Sequence, residues 1–481
     1  RNAVQSEIQS HIDAIEKAGE SKEFLIDQIE SIARRRGTTK RGLTGVLFGK
    51  DKGLSKKVRK YLSSMDYDTL KSKALLSAEN IAADYTKRSL GEKAKTIQVM
   101  NQLGNLITFE RNIGGNTAFG IQDATSDSMA AALDIILSKA TGTRSQEFNT
   151  YFANKGQRAA AAKAMQNAVV DIALDIDEIS ENRYGITSGR TFKMKDGPMM
   201  RFLSTVEKYL SYSLTASDEF YKGGARAGVE QGLRKLYESG KLNIPNDQQM
   251  IDGMENPDVE KYIRQKADEK AKYVTFQDNS ALANFTQYAH DLANKVGIGK
   301  HTGQAGMETH AFGLGDLLMP YAKVPGNLGS RAIEYSPVGV AKGAAEIFQV
   351  LADAKRGTLD INKQRKAVQD VARGVNGTAL WAVFAALALK GLMRNADDQN
   401  DADVAALNAA EGMSGTQINL DAAVRALSGE SAEWRRGDTL AGISFLEPLN
   451  AAMAAGTMLA GDLQSDATQE QIAADSVNKA L

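Results

Sequence analysis

Hydrophobic and polar residues alternate along this chain with the period of an amphipathic helix. Two apolar stripes with spacings of three and four residues open the sequence on either side of Gly19, and they consist of Ile8, Ile12, Ile15, Leu25, Ile29 and Ile32. Because residues three and four apart lie on one face of a helix, the stripes predict two amphipathic helices. A coiled-coil seam with a partner chain and an intramolecular bundle both account for this pattern.

Similar patterns predict helices along most of the remaining sequence. The predicted segments are 61–109, 121–137, 159–179, 201–221, 258–272, 281–296, 327–335, 340–351 and 362–371. The glycine-rich residues 111–120 are expected to form a turn. Strand-like composition with turn residues at both ends occurs at 185–197, where we expect one short β-hairpin. The sequence therefore predicts an all-α fold, an elongated multi-helix bundle with this hairpin.

The length of 481 residues exceeds what one hydrophobic core normally organises. We predict four consecutive regions. They are a helical region with a basic segment at 1–110, a helical region with the hairpin at 111–200, a helical domain at 201–345 and a helical region with apolar segments at 346–481. Pro245 and Pro257 bracket a polar connection, which indicates a boundary between subdomains.

The charges of the chain balance, with 59 Lys and Arg residues against 59 Asp and Glu residues. A neutral chain is not expected to coat nucleic acid, so any such contact has to come from a local basic segment. Cysteine is absent, which excludes disulfides, thiolate nucleophiles and cysteine-ligated metals. Since the sequence opens with Arg1 inside a helical pattern, we expect a processed product or the ordered part of a longer protein.

Residues 34–60 form the strongest charge pattern, with eleven basic residues against the single acid Asp51. Lys and Arg mixed with glycine favour salt-sensitive contact with DNA phosphates or anionic lipid headgroups. The candidate contact residues are Arg34, Arg35, Arg36, Lys40, Arg41, Lys56, Lys57, Arg59 and Lys60. A solvated loop whose charges meet acidic faces of a neighbouring subunit explains the composition equally well.

The most apolar stretch is 379–389, which has no polar side chain and lies within an apolar run at 378–393. A membrane-spanning helix needs about twenty apolar residues, so this run is short. A buried core helix and a helix that enters a bilayer within an oligomer are the two interpretations. Together with a second weakly polar run at 440–459, this run suggests a hairpin that is able to enter a membrane. The candidate membrane or partner surface comprises Trp381, Val383, Phe384, Leu387 and Leu389.

Candidate catalytic residues are sparse. The four histidines lack metalloprotease spacing, and His301 and His310 are expected in an exposed glycine-rich loop. The glycine–lysine pair at 49–50 fails the spacing of a phosphate-binding loop. Residues 20–21 and 120–122 are similar to parts of a lytic transglycosylase motif, but their spacing is wrong. We therefore expect no catalytic residue, no metal site and no cofactor.

Several acids could suggest a metal site, and they are Asp171, Asp175, Asp177, Glu178 and Glu181. Helical spacing scatters them around the axis, and no glycine turn of a calcium loop follows. We expect them on a solvated face. Asp218 falls near the end of the helix predicted at 201–221. An acid in a pocket is the functional interpretation, and a position on the helix surface or at a cap is the one that we favour.

Residues 319–339 hold three of the seven prolines. Because each proline fixes φ and disfavours helix in the preceding residue, we predict a rigid elbow between helical layers. Its residues are Pro320, Tyr321, Pro325, Asn327, Tyr335 and Pro337. A short helix is expected at 327–335, with Arg331 and Glu334 on its surface.

The elbow also carries a sequence pattern, Pro-aromatic-x-basic-x-Pro-x-Asn followed by aromatic-Ser-Pro-x-Gly. Its residues are Pro320, Tyr321, Lys323, Pro325, Asn327, Tyr335, Ser336, Pro337 and Gly339. Together with Ser-Asp-Glu-Phe at 217–220 and Thr-Phe-Gln at 275–277, the pattern resembles a domain found in large polyvalent proteins of phages and mobile elements. The resemblance covers roughly two-fifths of the chain, at 201–393.

The resemblance implies a non-enzymatic phage internal virion protein that is packaged with the genome. Together with the basic and apolar segments, this leads us to expect a homo-oligomer that helps to form a DNA-translocating conduit across the host envelope. Its expected partners are other virion core, portal or tail proteins, DNA without sequence preference, and a host membrane after ejection. The virion interior, and the host envelope after ejection, are the expected locations. Two alternatives stay open: a helical module of a polyvalent genome-protection protein, and a lytic transglycosylase-type cell-wall hydrolase.

Overall fold

A computed structural model describes most of the chain. The described residues are 2–17, 19, 21–35, 53–85, 93–94, 97–98, 106–148, 152, 154–174, 176, 198–242, 257–302, 308–319, 322–396, 415–435, 437–444, 446 and 449–464. Over these ranges the fold is all-α, as the helical periodicity predicts.

Helices account for most of the described residues. In chain order they are α1 (Asn2–Glu16), α2 (Lys22–Arg35), α3 (Lys56–Ser63), α4 (Tyr67–Tyr85), α5 (Leu106–Thr141), α6 (Lys155–Leu174), α7 (Pro198–Glu238), α8 (Pro257–Val274), α9 (Ala281–Ala293), α10 (Leu314–Leu318), α11 (Lys323–Glu334), α12 (Pro337–Arg356), α13 (Ile361–Leu389), α14 (Leu420–Leu427) and α15 (Leu449–Gln464).

Two small antiparallel sheets accompany the helices in the described part of the chain. The first consists of β1 (Gly297–Thr302) and β2 (Glu308–Gly313), and the second has the order β3 (Met393–Asn395), β4 (Thr416–Asn419) and β5 (Leu440–Gly442). The range 185–197, where the sequence predicts a hairpin, lies outside the described residues.

The glycine-rich stretch around His301 and His310 forms paired strands, so the prediction of an exposed loop there is wrong. His301 lies opposite Thr309, and His310 lies opposite Lys300. Glycine permits this close pairing, because a Cβ on Gly297 would lie 2.2 Å from a backbone oxygen of β2. Cross-strand hydrogen bonds satisfy backbone groups that a loop would leave to solvent.

Three predicted helix ends are also wrong, because the helices continue through their glycines. The helix α5 passes through residues 111–120, α7 continues beyond Tyr221 to Glu238, and α13 includes Gly374 and Gly377. Glycine inside a helix costs about 1 kcal/mol relative to alanine. Close packing offsets this cost in α13, since a Cβ on Gly377 would lie 2.0 Å from the backbone oxygen of Tyr335.

The chain forms two compact units, each assembled from three separate stretches of sequence. Unit 1 comprises Arg1–Phe109, Ala161–Gly223 and Ala283–Pro325, and unit 2 comprises Glu110–Ala160, Gly224–Leu282 and Gly326–Leu481. The four consecutive regions that the sequence suggests stay a prediction.

In unit 1, the apolar stripes of α1 and α2 pack against α3 and α4. Ile15, Leu25, Ile29 and Leu62 are fully buried in this core. The stripes therefore form an intramolecular core, which was one of the two interpretations of their spacing. Burial of such side chains supplies most of the stability of short helices.

Asp171 in unit 1 is buried rather than solvated, which corrects the prediction for this acid. It accepts hydrogen bonds from the Tyr61 hydroxyl (2.9 Å) and the Lys73 ammonium (2.7 Å). Desolvation raises the pKa of Asp171, although Lys73 opposes that shift. The ammonium and the hydroxyl satisfy the carboxylate, so Asp171 makes buried hydrogen bonds that join α6 to α3 and α4. The other four acids lie outside the described residues.

Unit 2 contains several apolar cores. One joins the end of α7 to α8 through Val229, Leu233 and Ile263, and another joins α5 to α12 and α13 through Ala130, Val350 and other residues. A third core lies between α13 and α15. A further core, formed by Phe119, Tyr273, Phe276 and other residues, includes Tyr335 of the predicted elbow.

Candidate functional site

The elbow residues that the structure describes connect α11 directly to α12. Pro325 lies in the first turn of α11, and Pro337 is the first residue of α12, where a proline is favourable. The Ser336 side chain accepts a hydrogen bond from the Val338 amide (3.2 Å), which caps α12. Pro320 and Tyr321 lie outside the described residues.

Asn327 ties the elbow to the segment that follows α8. Its side chain is fully buried, and its Nδ2 donates to the carbonyl oxygens of Phe276 and Asp278, both at 2.8 Å. Phe276 belongs to the Thr-Phe-Gln run that forms a separate part of the sequence pattern. Two parts of that pattern, distant in sequence, are therefore joined by hydrogen bonds in unit 2.

Two arginine guanidinium groups make cation–π contacts with the ring of Tyr273. The guanidinium carbon of Arg331 lies 3.5 Å, and that of Arg373 lies 4.0 Å, from the centroid of the Tyr273 ring. The Tyr273 hydroxyl donates to Glu334 at 2.7 Å. Cation–π contacts strengthen when the partners are shielded from water. The Tyr273 ring therefore stabilises the buried positive charges of both guanidinium groups.

Arg331 is only 1% exposed, so the prediction that it lies on the surface of α11 is wrong. It donates to Asp278 at 2.6 Å and to Glu334 at 3.0 Å. Burial alone would lower the pKa of Arg331, but the interactions with Tyr273, Glu334 and Asp278 outweigh it and raise the pKa. The guanidinium stays charged and requires its carboxylate partners.

A second buried ion cluster lies against the same aromatic residues. Lys270 of α8 donates to Asp123 and Asp127 of α5, with closest distances of 2.8 Å and 2.9 Å. The Tyr335 hydroxyl donates to Asp123 at 3.2 Å. Burial raises the pKa of Asp127 despite the opposing effect of Lys270. We name the set the elbow core, and it comprises Phe119, Asp123, Asp127, Lys270, Tyr273, Phe276, Asp278, Asn327, Arg331, Glu334, Tyr335 and Arg373.

Aromatic contacts hold the elbow core together. The ring of Phe119 lies 4.9 Å from Phe276, 5.7 Å from Tyr273 and 5.9 Å from Tyr335, measured between centroids. Desolvation raises the pKa of both tyrosines well above the ordinary value, which keeps their hydroxyls neutral. A cavity beside Arg331 and Tyr335 has a volume of about 10 Å³, room for about one water molecule. The arrangement locks helices together.

Asp123, Asp127 and Lys270 were not identified from the sequence. A signal was present, because Phe119, Asp123 and Asp127 follow one another at four-residue intervals and hence share one face of α5. The assumed turn at 111–120 concealed this face. Asp218 is also fully buried, on a helix that continues beyond it, so its predicted surface or capping position is wrong.

The two apolar runs of the C-terminal region do pack together. Trp381 of α13 is buried against Ala452 and Ala455 of α15. A Cβ on Gly456 would lie 2.6 Å from the Phe384 Cβ, so the helices approach closely at this glycine. Leu387 is partly buried in an adjoining core, whereas Val383 and Leu389 are exposed. One side of α13 is thus core, and the other presents apolar side chains.

Within the described residues, α13 is the one helix long and apolar enough to cross a bilayer, and 39% of its most apolar window is buried inside the protein. Its first half carries buried polar residues, including Gln364, Arg365 and Asp370. Gln364 donates to Asp134 and to the carbonyl oxygen of Thr143, both at 2.9 Å. Polar contacts therefore anchor the beginning of α13, and apolar contacts hold its end.

The structure separates the predicted basic residues into two groups. Arg34 and Arg59 both pair with Glu30, and Arg59 also pairs with Asp27 at 2.9 Å. Burial alone would raise the pKa of Glu30, but hydrogen bonds from the Leu54 backbone and Arg59 lower it. These arginines are thus engaged within the protein.

The second group is exposed and lies on α3, and it consists of Lys56, Lys57 and Lys60. Of the remaining predicted contacts, the Arg35 side chain and the residues Arg36, Lys40 and Arg41 lie outside the described part of the structure. Among described residues, no group of three or more His, Cys, Asp or Glu side chains is placed to hold a metal ion.

No protein-family model matches the chain, and no curated protein or solved structure is significantly similar to it.

Proposed function

We propose that this chain is a phage internal virion protein without enzymatic activity. In this proposal it is packaged in the particle, leaves with the genome, and helps to form an oligomeric conduit that carries DNA across the host envelope. The resemblance of its elbow pattern to polyvalent proteins of phages and mobile elements motivates the proposal.

The observation that carries the proposal is that three residues of the pattern, Phe276, Asn327 and Tyr335, lie together in the elbow core. Asn327 bonds to the backbone of Phe276, and Tyr335 bonds to Asp123. These residues bond to the protein around them, and the cavity beside Tyr335 has room for only about one water molecule, so the pattern favours a scaffold role over a binding site. A scaffold of locked helices suits a protein whose work is assembly.

Two surfaces support the contacts that a conduit requires. The exposed lysines of α3 provide positive charge that can neutralise DNA phosphates. The exposed apolar residues Val383 and Leu389 on α13 provide a surface for a partner subunit or for lipid. The anchoring of α13 on one side leaves this surface available for assembly.

Quantitative mass spectrometry of purified virions tests the proposal. We expect the chain at a fixed number of copies per particle, and its transfer to the envelope fraction of infected cells. Virions that lack the protein would contradict the proposal. Presence in virions with retention in emptied particles after ejection would favour another structural role.

Muralytic zymography tests the non-enzymatic part of the proposal. The purified chain and a Glu20→Gln variant are expected to show no clearing of peptidoglycan. Clearing by the wild-type chain that the Glu20→Gln variant loses would replace the proposal with the cell-wall hydrolase alternative.

A further inference from the structure

The segment from α9 to α10 in unit 1 exposes many apolar side chains. Eight of the 25 large exposed hydrophobic residues of the described chain lie between Phe285 and Leu318. Single exposed hydrophobic residues are normal on protein surfaces, whereas a dense group marks an interaction site. This segment is distinct from the apolar end of α13, which belongs to unit 2.

Helix α9 has its apolar side facing outward. Phe285, Tyr288 and Leu292 share one face at spacings of three and four residues, and all three are about half exposed or more. The opposite face buries His290 and Asp291. A surface helix of a globular protein normally has the reverse arrangement, because apolar burial stabilises the fold.

Buried polar contacts hold α9 and α10 in this orientation. Asp316 of α10 accepts hydrogen bonds from the Asn294 side chain (2.9 Å) and the Gly313 amide (3.0 Å), and its own amide donates to Asn294 at 3.1 Å. The two ring nitrogens of His290 lie 3.1 Å from Asp291 and 3.3 Å from Asp316. Asp316 is therefore held on the buried side of α10, whereas Leu314, Leu317 and Leu318 are exposed.

Close backbone contacts join α10 to α9 and to the turn that follows it. The Leu314 amide donates to the Val296 carbonyl oxygen at 3.1 Å, which joins the start of α10 to the turn that follows α9. A Cβ on Gly315 would lie 2.3 Å from the carbonyl oxygen of His290. The exposed Leu314 and Val296 are therefore neighbours, and the exposed Leu317 and Leu318 follow Leu314 within four residues. We name this surface the α9–α10 face, and it consists of Phe285, Tyr288, Leu292, Val296, Ile298, Leu314, Leu317 and Leu318.

The exposed charge beside the α9–α10 face is positive. In the ranges 281–298 and 312–319, the acids Asp291 and Asp316 are buried, and the exposed charged side chain is Lys295. Within these two ranges, apolar side chains with a flanking cation and no exposed acid suit an anionic bilayer surface, where lysine contributes about 1 kcal/mol of attraction. Tyr288 has the amphipathic ring typical of the bilayer interface.

We propose that the α9–α10 face is a binding site for anionic lipid bilayers. Its apolar side chains enter the boundary between headgroups and acyl chains, and Lys295 lies among the headgroup phosphates. The face binds as a preformed surface, because the buried contacts around Asp316 already fix its orientation. The proposal does not rest on a role in genome delivery, and it assigns a lipid contact separate from that of α13.

Flotation of the full chain with vesicles tests this assignment. Vesicles of phosphatidylcholine alone are compared with vesicles that contain equal parts of phosphatidylcholine and phosphatidylglycerol. We expect binding to the anionic vesicles, and a loss of about tenfold in the bound-to-free ratio for the double variant Leu317→Ser/Leu318→Ser. The variant Lys295→Glu, which keeps every apolar contact, should lose about tenfold on anionic vesicles alone.

Leu427 on α14 provides a matched control. It is 90% exposed, more than Leu318 at 73%, but exposed Glu430 and Glu433 follow it in the chain. The variant Leu427→Ser should therefore bind vesicles like the wild-type chain. Circular dichroism and melting temperature verify that each variant folds.

Several results would overturn the assignment. They are a wild-type chain that binds neither vesicle, a Leu317→Ser/Leu318→Ser variant that binds normally, and equal losses in the Leu427→Ser control. Altered self-association at unchanged vesicle binding would identify a second copy as the occupant instead. The double variant Val383→Ser/Leu389→Ser changes the exposed residues of α13 instead. If this variant alone loses vesicle binding, the lipid contact lies on α13 and the α9–α10 face is excluded.

Discussion

Arg331 stacks on Tyr273, with the guanidinium carbon 3.5 Å from the ring centroid, and both side chains are buried in unit 2. The contact joins the elbow helix α11 to the end of α8. The buried Arg331 cation also needs compensating negative charge, which Asp278 and Glu334 provide through ion pairs. The stability of the elbow core should therefore depend on both charge and aromatic character.

Replacement of Arg331 by methionine should destabilise unit 2 by about 3–5 kcal/mol, because Asp278 and Glu334 lose their compensating charge. Urea unfolding monitored by circular dichroism measures the effect. The control is Arg356→Met, since Arg356 is largely exposed at the end of α12 and contacts Asp353 only at 3.8 Å. That change should stay within about 0.5 kcal/mol. Similar losses for both arginines would contradict the role assigned to Arg331.

Two substitutions at Tyr273 should separate its hydroxyl from its ring. Tyr273→Phe removes the hydrogen bond to Glu334 and should cost about 1 kcal/mol, because Glu334 keeps its arginine partners. Tyr273→Leu also removes the surface on which Arg331 and Arg373 stack, and should cost at least about 2 kcal/mol more. Equal losses in the two variants would exclude the cation–π contribution. Urea unfolding again provides the measurement.

Alanine substitutions at two helical glycines should change stability in opposite directions. A Cβ at Gly377 would lie 2.0 Å from the Tyr335 backbone oxygen, so Gly377→Ala should destabilise unit 2 by roughly 1–3 kcal/mol or more. A Cβ at Gly120 meets nothing within 4 Å, so Gly120→Ala should stabilise α5 by about 0.5–1 kcal/mol. Thermal unfolding of both variants measures the signs. A stabilised Gly377→Ala variant would refute the close approach.

The stability of unit 2 should decrease in acid partly through Asp370. Burial alone would raise the pKa of Asp370, but hydrogen bonds from Lys366 and Lys342 and the charge of Arg373 lower it. Its ionised form therefore favours folding. This contribution is complete above the unfolded pKa of about 3.9 and disappears as the pH falls through the lower folded pKa.

The variant Asp370→Asn tests this assignment through its pH dependence. The stability difference between the wild-type chain and Asp370→Asn should be largest near neutral pH and should shrink as the pH falls below about 4. Unfolding curves at several pH values measure the difference. A stability difference that is the same at all pH values would show that the carboxylate charge contributes nothing.

The lysines of α3 should determine non-specific DNA affinity if this surface contacts the genome. The triple variant Lys56→Gln/Lys57→Gln/Lys60→Gln should bind DNA more weakly, with a salt dependence reduced by about 0.9 for each lost phosphate contact. Fluorescence anisotropy with a DNA duplex at several salt concentrations measures this slope. Arg59→Gln is the control, because Arg59 already pairs with Asp27 and Glu30. An unchanged slope in the triple variant would exclude this surface.

The helical fold was determined by local sequence features. The stripes of α1 and α2 predict helices because apolar spacing alone defines the buried face, and Ile15, Leu25 and Ile29 are indeed buried. Pro257 begins α8, where its missing amide donor costs nothing. Such features act within a few residues, so the sequence contains all the information that they need.

The elbow core was decided only by the tertiary structure. A charged residue at helical spacing is normally solvated, and nothing near Arg331 in the sequence reveals that Tyr273 and Asp278 contact it. Glycines inside α5 and α13 likewise signal a turn locally, whereas packing retains the helix. A charged side chain can be buried only where partners from distant segments compensate its charge. The contacts with those segments stabilise the fold by more than the local preference for a solvated charge, or for a turn at glycine, would oppose.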